Sequence, residues 1–168
     1  MKHIGIVGTS SEGAALCYAT ICQEAAEILG SFRHPETTLH TAPLENYMKH
    51  FVDDNNINWL SAGTVLADSV NKLKMIGADF IICSDNAMHH SIDLLRDRLS
   101  LPCVHICEVT VKAAKARGME KLLILGASST MKGSIYRRVL NIEGLKYVTP
   151  NEEEMLQIDK LIWDELFT

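Results

Sequence analysis

Aromatic side chains are scarce, making up 6% of the 168 residues, and Trp59 and Trp163 fall inside segments of helical spacing. That leaves little material to sandwich a flavin ring. Neither the G-x-x-x-x-G-K-[ST] phosphate loop nor the spaced glycine fingerprint for dinucleotides occurs. The net charge is −5 and the basic residues are dispersed, which argues against a nucleic-acid surface, since phosphate binding needs clustered Lys and Arg. No stretch approaches the ~20 apolar residues of a membrane span. The start MKHIGIVGTSSEG is broken by glycine too early for a secretory signal. Five cysteines form an odd set without framework spacing, and several sit in apolar runs. This usage suits a reducing compartment, so a cytoplasmic protein is expected.

What is present is 47% hydrophobic residues in short runs that alternate with helical segments, the habit of an α/β protein with a parallel sheet. Ile4 to Gly8 reads as the first strand. Glu12 to Leu29 then places Ala15, Ala19, Cys22, Ala26 and Leu29 on one apolar stripe. Thr37 to Ala42 is β-branched enough for a second strand, closed by Pro43. Asn58 to Ile76 spaces as a long helix ended by Gly77, and Ala78 to Cys83 is apolar without alternation, as in a strand covered on both faces. The rhythm resumes with a helix near Ser91 to Leu99, a short strand Cys103 to Ile106, a helix Val109 to Arg117 and a central strand Lys121 to Leu125. Ser129 to Asn141 is expected to be helical, Tyr147 and Val148 to be strand, and Glu152 to Leu166 to form a last helix. Two strands end alike, in Gly8-Thr9-Ser10-Ser11 and Gly126-Ala127-Ser128-Ser129-Thr130. Two facing half-domains would bring both loops to one cleft.

Asp85 is the leading candidate for chemistry. It stands in Asp85-Asn86-Ala87-Met88-His89, just beyond a buried strand, at the carboxyl edge of the sheet where ligands bind. A turn or helix-cap role is the structural alternative. Thr9, Ser10 and Ser11 open a helix and offer hydroxyls and free N–H groups to an anion, although the same residue types cap helices without binding anything. His89 and His90 diverge by about 100° on a helix and cannot share one metal. Cys103, His105 and Cys107 alternate, yet Cys-x-His-x-Cys is not a usual zinc spacing; core packing or one cleft-lining histidine fits better, and no metal is expected.

The strings Ile4-Gly5-Ile6-Val7-Gly8, Leu39-His40-Thr41, Asp85-Asn86-Ala87-Met88-His89, Leu101-Pro102-Cys103-Val104-His105-Ile106, Leu125-Gly126-Ala127-Ser128-Ser129-Thr130-Met131 and Thr149-Pro150-Asn151-Glu152 occur in this order. Together they resemble the aspartate/glutamate racemase family, and within it the aspartate racemase branch. The resemblance implies two pseudo-symmetric flavodoxin-like parallel-sheet halves, here 1–98 and 99–168, with the second half incomplete. It implies a small acidic amino acid or similar carboxylate as substrate, no cofactor, and a homodimer as the expected assembly. Its chemistry is Cα proton transfer between opposed thiols, with strand-end hydroxyls and amides holding the substrate carboxylate.

Carried over by position, the family's C-N-T-A-H motif puts its first cysteine on Asp85, keeps Asn86 and His89, and has Ala87 for threonine. Thr9, Ser10, Ser128, Ser129 and Thr130 fall on the substrate-holding loops, and His40 and His89 on the cleft. A carboxylate is a weaker base than a thiolate: reference pKa values of about 3.9 and about 8.5 differ by roughly 6 kcal/mol of proton affinity. The family's second cysteine, in a later G-C-T-E, has no counterpart before Thr168. Impaired activity, or a carboxylate-binding relative without turnover, is therefore expected.

Overall fold

The computed structural model describes residues 1–53 and 56–166, so the end at Thr168 lies outside the described residues. The chain divides into two compact units, Met1–Ile106 and Cys107–Thr168.

In the first unit β1 (Ile4–Gly8) is central, flanked by β2 (Thr37–Thr41) and β5 (Phe80–Cys83), all parallel. Gly5 to Gly8 are buried, as expected of a strand with neighbours on both edges and cover on both faces. The register pairs Gly8 with Thr41 and Val7 with Cys83. Thr9 and Asp85 therefore leave the sheet at the same carboxyl edge.

Helix α1 (Ser11–Leu29) follows β1 and buries Ala14 and Ala25. Ala15, placed on the sheet-facing stripe by spacing, is exposed. The cause lies at Gly8, where a Cβ would stand 2.7 Å from the Ala14 Cβ and 2.7 Å from Thr41 Oγ1. Helix and strand meet through the missing side chain, and that approach sets the helix's rotation.

After β2, Pro43 opens the short α2 (Leu44–Met48). An antiparallel pair, β3 (Phe51–Asp53) and β4 (Asn56–Ile57), follows; neither it nor α2 was anticipated from the sequence. Helix α3 (Trp59–Met75) starts where Asn58 accepts from Ser61 N at 3.0 Å. Its Ala62, Leu66, Val70 and Leu73 join Val7, Ile81 and Ile92 in the core. Each large aliphatic buried there contributes about 1.5–3 kcal/mol. Gly77, at φ 93°, takes a conformation that side chains rarely adopt and turns the chain into β5.

Helix α4 spans His89–Leu95, starting and ending earlier than the Ser91 to Leu99 reading. The expected strand Cys103 to Ile106 is a single parallel bridge, Ile81 to Cys103. Ile81 N donates to Pro102 O and Val104 N to Ile81 O, both at 2.9 Å. These bonds attach the segment to the sheet of the first unit, which runs to Ile106. Ile106 itself begins α5 (Ile106–Ala116), which removes the last strand residue.

The second unit contains the rest of α5 and a parallel pair, β6 (Lys121–Leu123) and β7 (Lys146–Val148). β6 was read as central, yet Leu123 and the following Leu125 are each 56% exposed, and its one partner among the described residues is β7. The helix expected over Ser129 to Asn141 is broken at Lys132-Gly133-Ser134 into α6 (Ser128–Met131) and α7 (Ile135–Glu143). Helix α8 (Glu152–Leu161) begins with a capping box, Asn151 accepting from Glu154 N and Glu154 accepting from Asn151 N, and continues as a π-helical turn, Ile162–Leu166. Among the described residues no helix is long and apolar enough to cross a membrane.

Candidate active site

Asp85 is half-buried, two residues beyond β5, and both its carboxylate oxygens accept hydrogen bonds. The Thr9 hydroxyl donates to Oδ2 at 2.8 Å and the Met88 amide to Oδ1 at 3.0 Å. The Met88 bond explains the early start of α4: Asp85 caps the turn formed by Asn86 and Ala87, whose carbonyls accept from His89 N and His90 N. Anchoring and chemistry are compatible here, because a carboxylate has about four acceptor directions and two are occupied.

Thr9 is 4% exposed, so its hydroxyl is committed to Asp85. Ser10 caps α1 by accepting from Gly13 N at 3.3 Å, which realises the capping alternative for this residue. His40 lies beside Val7 in the register, and its buried Nδ1 has no hydrogen-bond partner among the described residues.

His89 has no exposed surface. Its Nδ1 lies 2.8 Å from the Asp85 carbonyl and its Nε2 accepts from the Ile106 amide at 3.2 Å. Burial, with the neighbouring His105 second, depresses its pKa from 6.5 to about 4. The imidazole is therefore neutral near pH 7. His105 packs edge-on against it with ring centres 4.4 Å apart, and its Nε2 is 3.5 Å from Asp93 Oδ1.

Cys83 donates to the Asp85 carbonyl at 3.8 Å. Burial pushes its thiol well above the usual range, with Asp85 adding to the shift. It stays protonated and cannot act as a thiolate base.

In the second unit Ser128 and Thr130 are buried and Ser129 half-buried at the start of α6. A Cβ at Gly126 would come within 3.1 Å of Thr130, so the loop folds tightly over this side chain. Ser128 N donates to Asp159 Oδ1 at 2.7 Å. One N–H of this hydroxyl-rich loop is thus already held by a carboxylate of the same unit. Among the described residues no group of three or more His, Cys, Asp or Glu could hold a metal ion.

The family model for Asp/Glu/Hydantoin racemases matches residues 4–166. The chain belongs to this racemase family. It is 25% identical over 127 residues to the broad specificity amino-acid racemase RacX of Bacillus subtilis (strain 168), a match that takes in 76% of this chain and 53% of RacX. The chain thus spans about half the length of that curated relative. A structure described as an Asp/Glu racemase from Yersinia pestis superposes with a TM-score of 0.86 at 27% identity, covering 99% of this chain and 72% of that one. An aspartate racemase homologue from Pyrococcus horikoshii OT3 gives a TM-score of 0.80 at 26% identity, with the same coverage. The α/β fold with parallel sheets is that of the Asp/Glu racemases.

Within this racemase-family chain the structure brings Thr9, Asp85 and His89 into one hydrogen-bonded group, with Ser10, Asn86 and Ala87 adjoining it in sequence. Sequence reasoning missed Asp159, which is 31 residues from its partner Ser128 and stands on a charged helix with no local signal. It also missed the Ile106 amide, because that residue was assigned to a strand.

Proposed function

We propose that this chain performs cofactor-independent Cα proton transfer on a small acidic amino acid, with Asp85 as the base and with activity below that of a two-thiol racemase. The observation that carries the reading is the half-buried Asp85 carboxylate, fixed by Thr9 and Met88 at the carboxyl edge of β5, on the position where the resemblance puts a catalytic cysteine. Family membership and the named activity of RacX support the reaction class. Ser128, Ser129 and Thr130 enter as substrate-holding residues by the resemblance alone.

In this reaction Asp85 takes the Cα proton and becomes a carboxylic acid, while the negative charge passes into the substrate's α-carboxylate. Return of the proton from Asp85 restores the original hand. Inversion needs a proton delivered to the opposite face. Because Asp85 serves one face, exchange of the Cα proton for solvent deuterium through it does not by itself racemise the substrate.

The use of both Asp85 oxygens as acceptors supports a second reading, a small-carboxylate-binding relative without turnover. Proton NMR in deuterated water with aspartate, glutamate and a wider amino-acid panel, beside calorimetric titration, separates the two. The first reading expects exchange that Asp85→Asn abolishes; binding without exchange selects the second, and neither result leaves a folded protein without this function. A homodimer in the cytoplasm completes the proposal, with free cysteines in apolar surroundings supporting the compartment. Sedimentation analysis tests the assembly.

A further inference from the structure

The Asp85 carbonyl has no proton to give and the Ile106 amide has no lone pair to offer. Between them lies one imidazole, with Nδ1 at 2.8 Å from the carbonyl and Nε2 at 3.2 Å from the amide nitrogen. Only the Nδ1–H tautomer of neutral histidine satisfies both. A second proton, added at Nε2, would face the Ile106 N–H, breaking the second bond and placing a charge inside the fold.

We propose that His89 is a positioning residue, a neutral strut that fixes the turn bearing the Asp85 carboxylate by holding its carbonyl against the Ile106 amide. The inference rests on the reading of Asp85 as the base. It removes His89 from the residues lining a cleft, since a side chain without exposed surface does not reach a substrate. The groups that face the ring are Asp85 after β5, His105 before α5, and Asp93 on α4 behind His105. The Met88 amide bound to Asp85 Oδ1 reports the placement of the carboxylate independently of any substrate.

Two variants divide the strut into halves. The side-chain amide of His89→Asn stands near the Nδ1 position and can still donate to Asp85, whereas His89→Gln reaches the Nε2 position and leaves that carbonyl with the weak Cys83 thiol donor at 3.8 Å. Loss of a buried hydrogen bond of this kind corresponds to about a tenfold change. Met88 amide hydrogen exchange is expected to stay near wild type in His89→Asn and to quicken about tenfold in His89→Gln, with kcat for Cα exchange following the same order and KM little changed. Equal losses in both variants, or a Met88 amide indifferent to both, would overturn the proposal. Should neither variant fold, nitrogen NMR of the wild-type ring decides: protonated Nδ1 with bare Nε2 at pH 7 supports the strut, and any other state refutes it. The amide and ring readouts stand even if wild type exchanges no Cα proton, a result that would count against the base reading alone.

Discussion

Lowering the pH should unfold this protein partly through His89. The ring is neutral in the fold, with its pKa near 4, against 6.5 for an unhindered histidine. As pH falls through 6.5 the unfolded chain takes up a proton that the folded chain refuses, so stability present above pH 6.5 is lost progressively toward pH 4. For one group with these two pKa values, linkage gives a loss of about 2 kcal/mol between pH 7 and pH 5. Urea denaturation at half-unit pH steps measures it, with His89→Asn as reference because that variant lacks the titration while keeping every carboxylate. Wild type should lose about 2 kcal/mol more than His89→Asn across this interval, whatever the offset between their stabilities at pH 7. Parallel curves would refute the reasoning, because they would mean that the buried ring carries a proton as readily as the unfolded one.

Gly8→Ala forces a methyl to within 2.7 Å of both Ala14 and Thr41; a loss of about 1–3 kcal/mol is expected by calorimetry, and an unchanged melting temperature would disprove the close approach. Asn151→Ala removes one half of the capping box of α8 and should cost about 1 kcal/mol in thermal melts, with Asn151→Asp largely restoring it. Maleimide labelling read by mass spectrometry should leave the buried Cys83 and Cys107 unmodified until denaturant is added, while Cys17 and Cys22 react in the native protein. Native labelling of Cys83 would contradict its burial.

The features legible in the sequence were those fixed by local chemistry. Ile4–Gly8 is a strand with the expected bounds because five residues between a charged start and a hydroxyl loop leave little choice. Asn58 and Gly77 bracket α3 because a cap and a left-handed turn each demand particular residue types. What escaped was set by tertiary approach. The rotation of α1 depends on Gly8 meeting Ala14, and periodicity alone could not distinguish the Ala14 face from the Ala15 face. The apolar Leu-Leu-Ile-Leu run of Leu122 to Leu125 suggested a central strand, although a run of this kind says nothing about how many partners lie beside it. At the site, Asp85 and Thr9 were both singled out by their place after strands, but their direct bond joins residues far apart in sequence. His89 was noted by the motif, but its burial depends on the segment around Ile106, which the motif does not contain.

The two donors that converge on Asp85 also decide what a cysteine placed at this position would meet. A cysteine at this position is shorter and, as a weak acceptor, would leave the Thr9 hydroxyl and the Met88 amide without adequate partners. The turn before α4 would lose its cap. Seating a thiol at this edge therefore calls for changes at Thr9 and in the 86–88 turn as well as at Asp85, and Asp85→Cys alone would give a less stable protein.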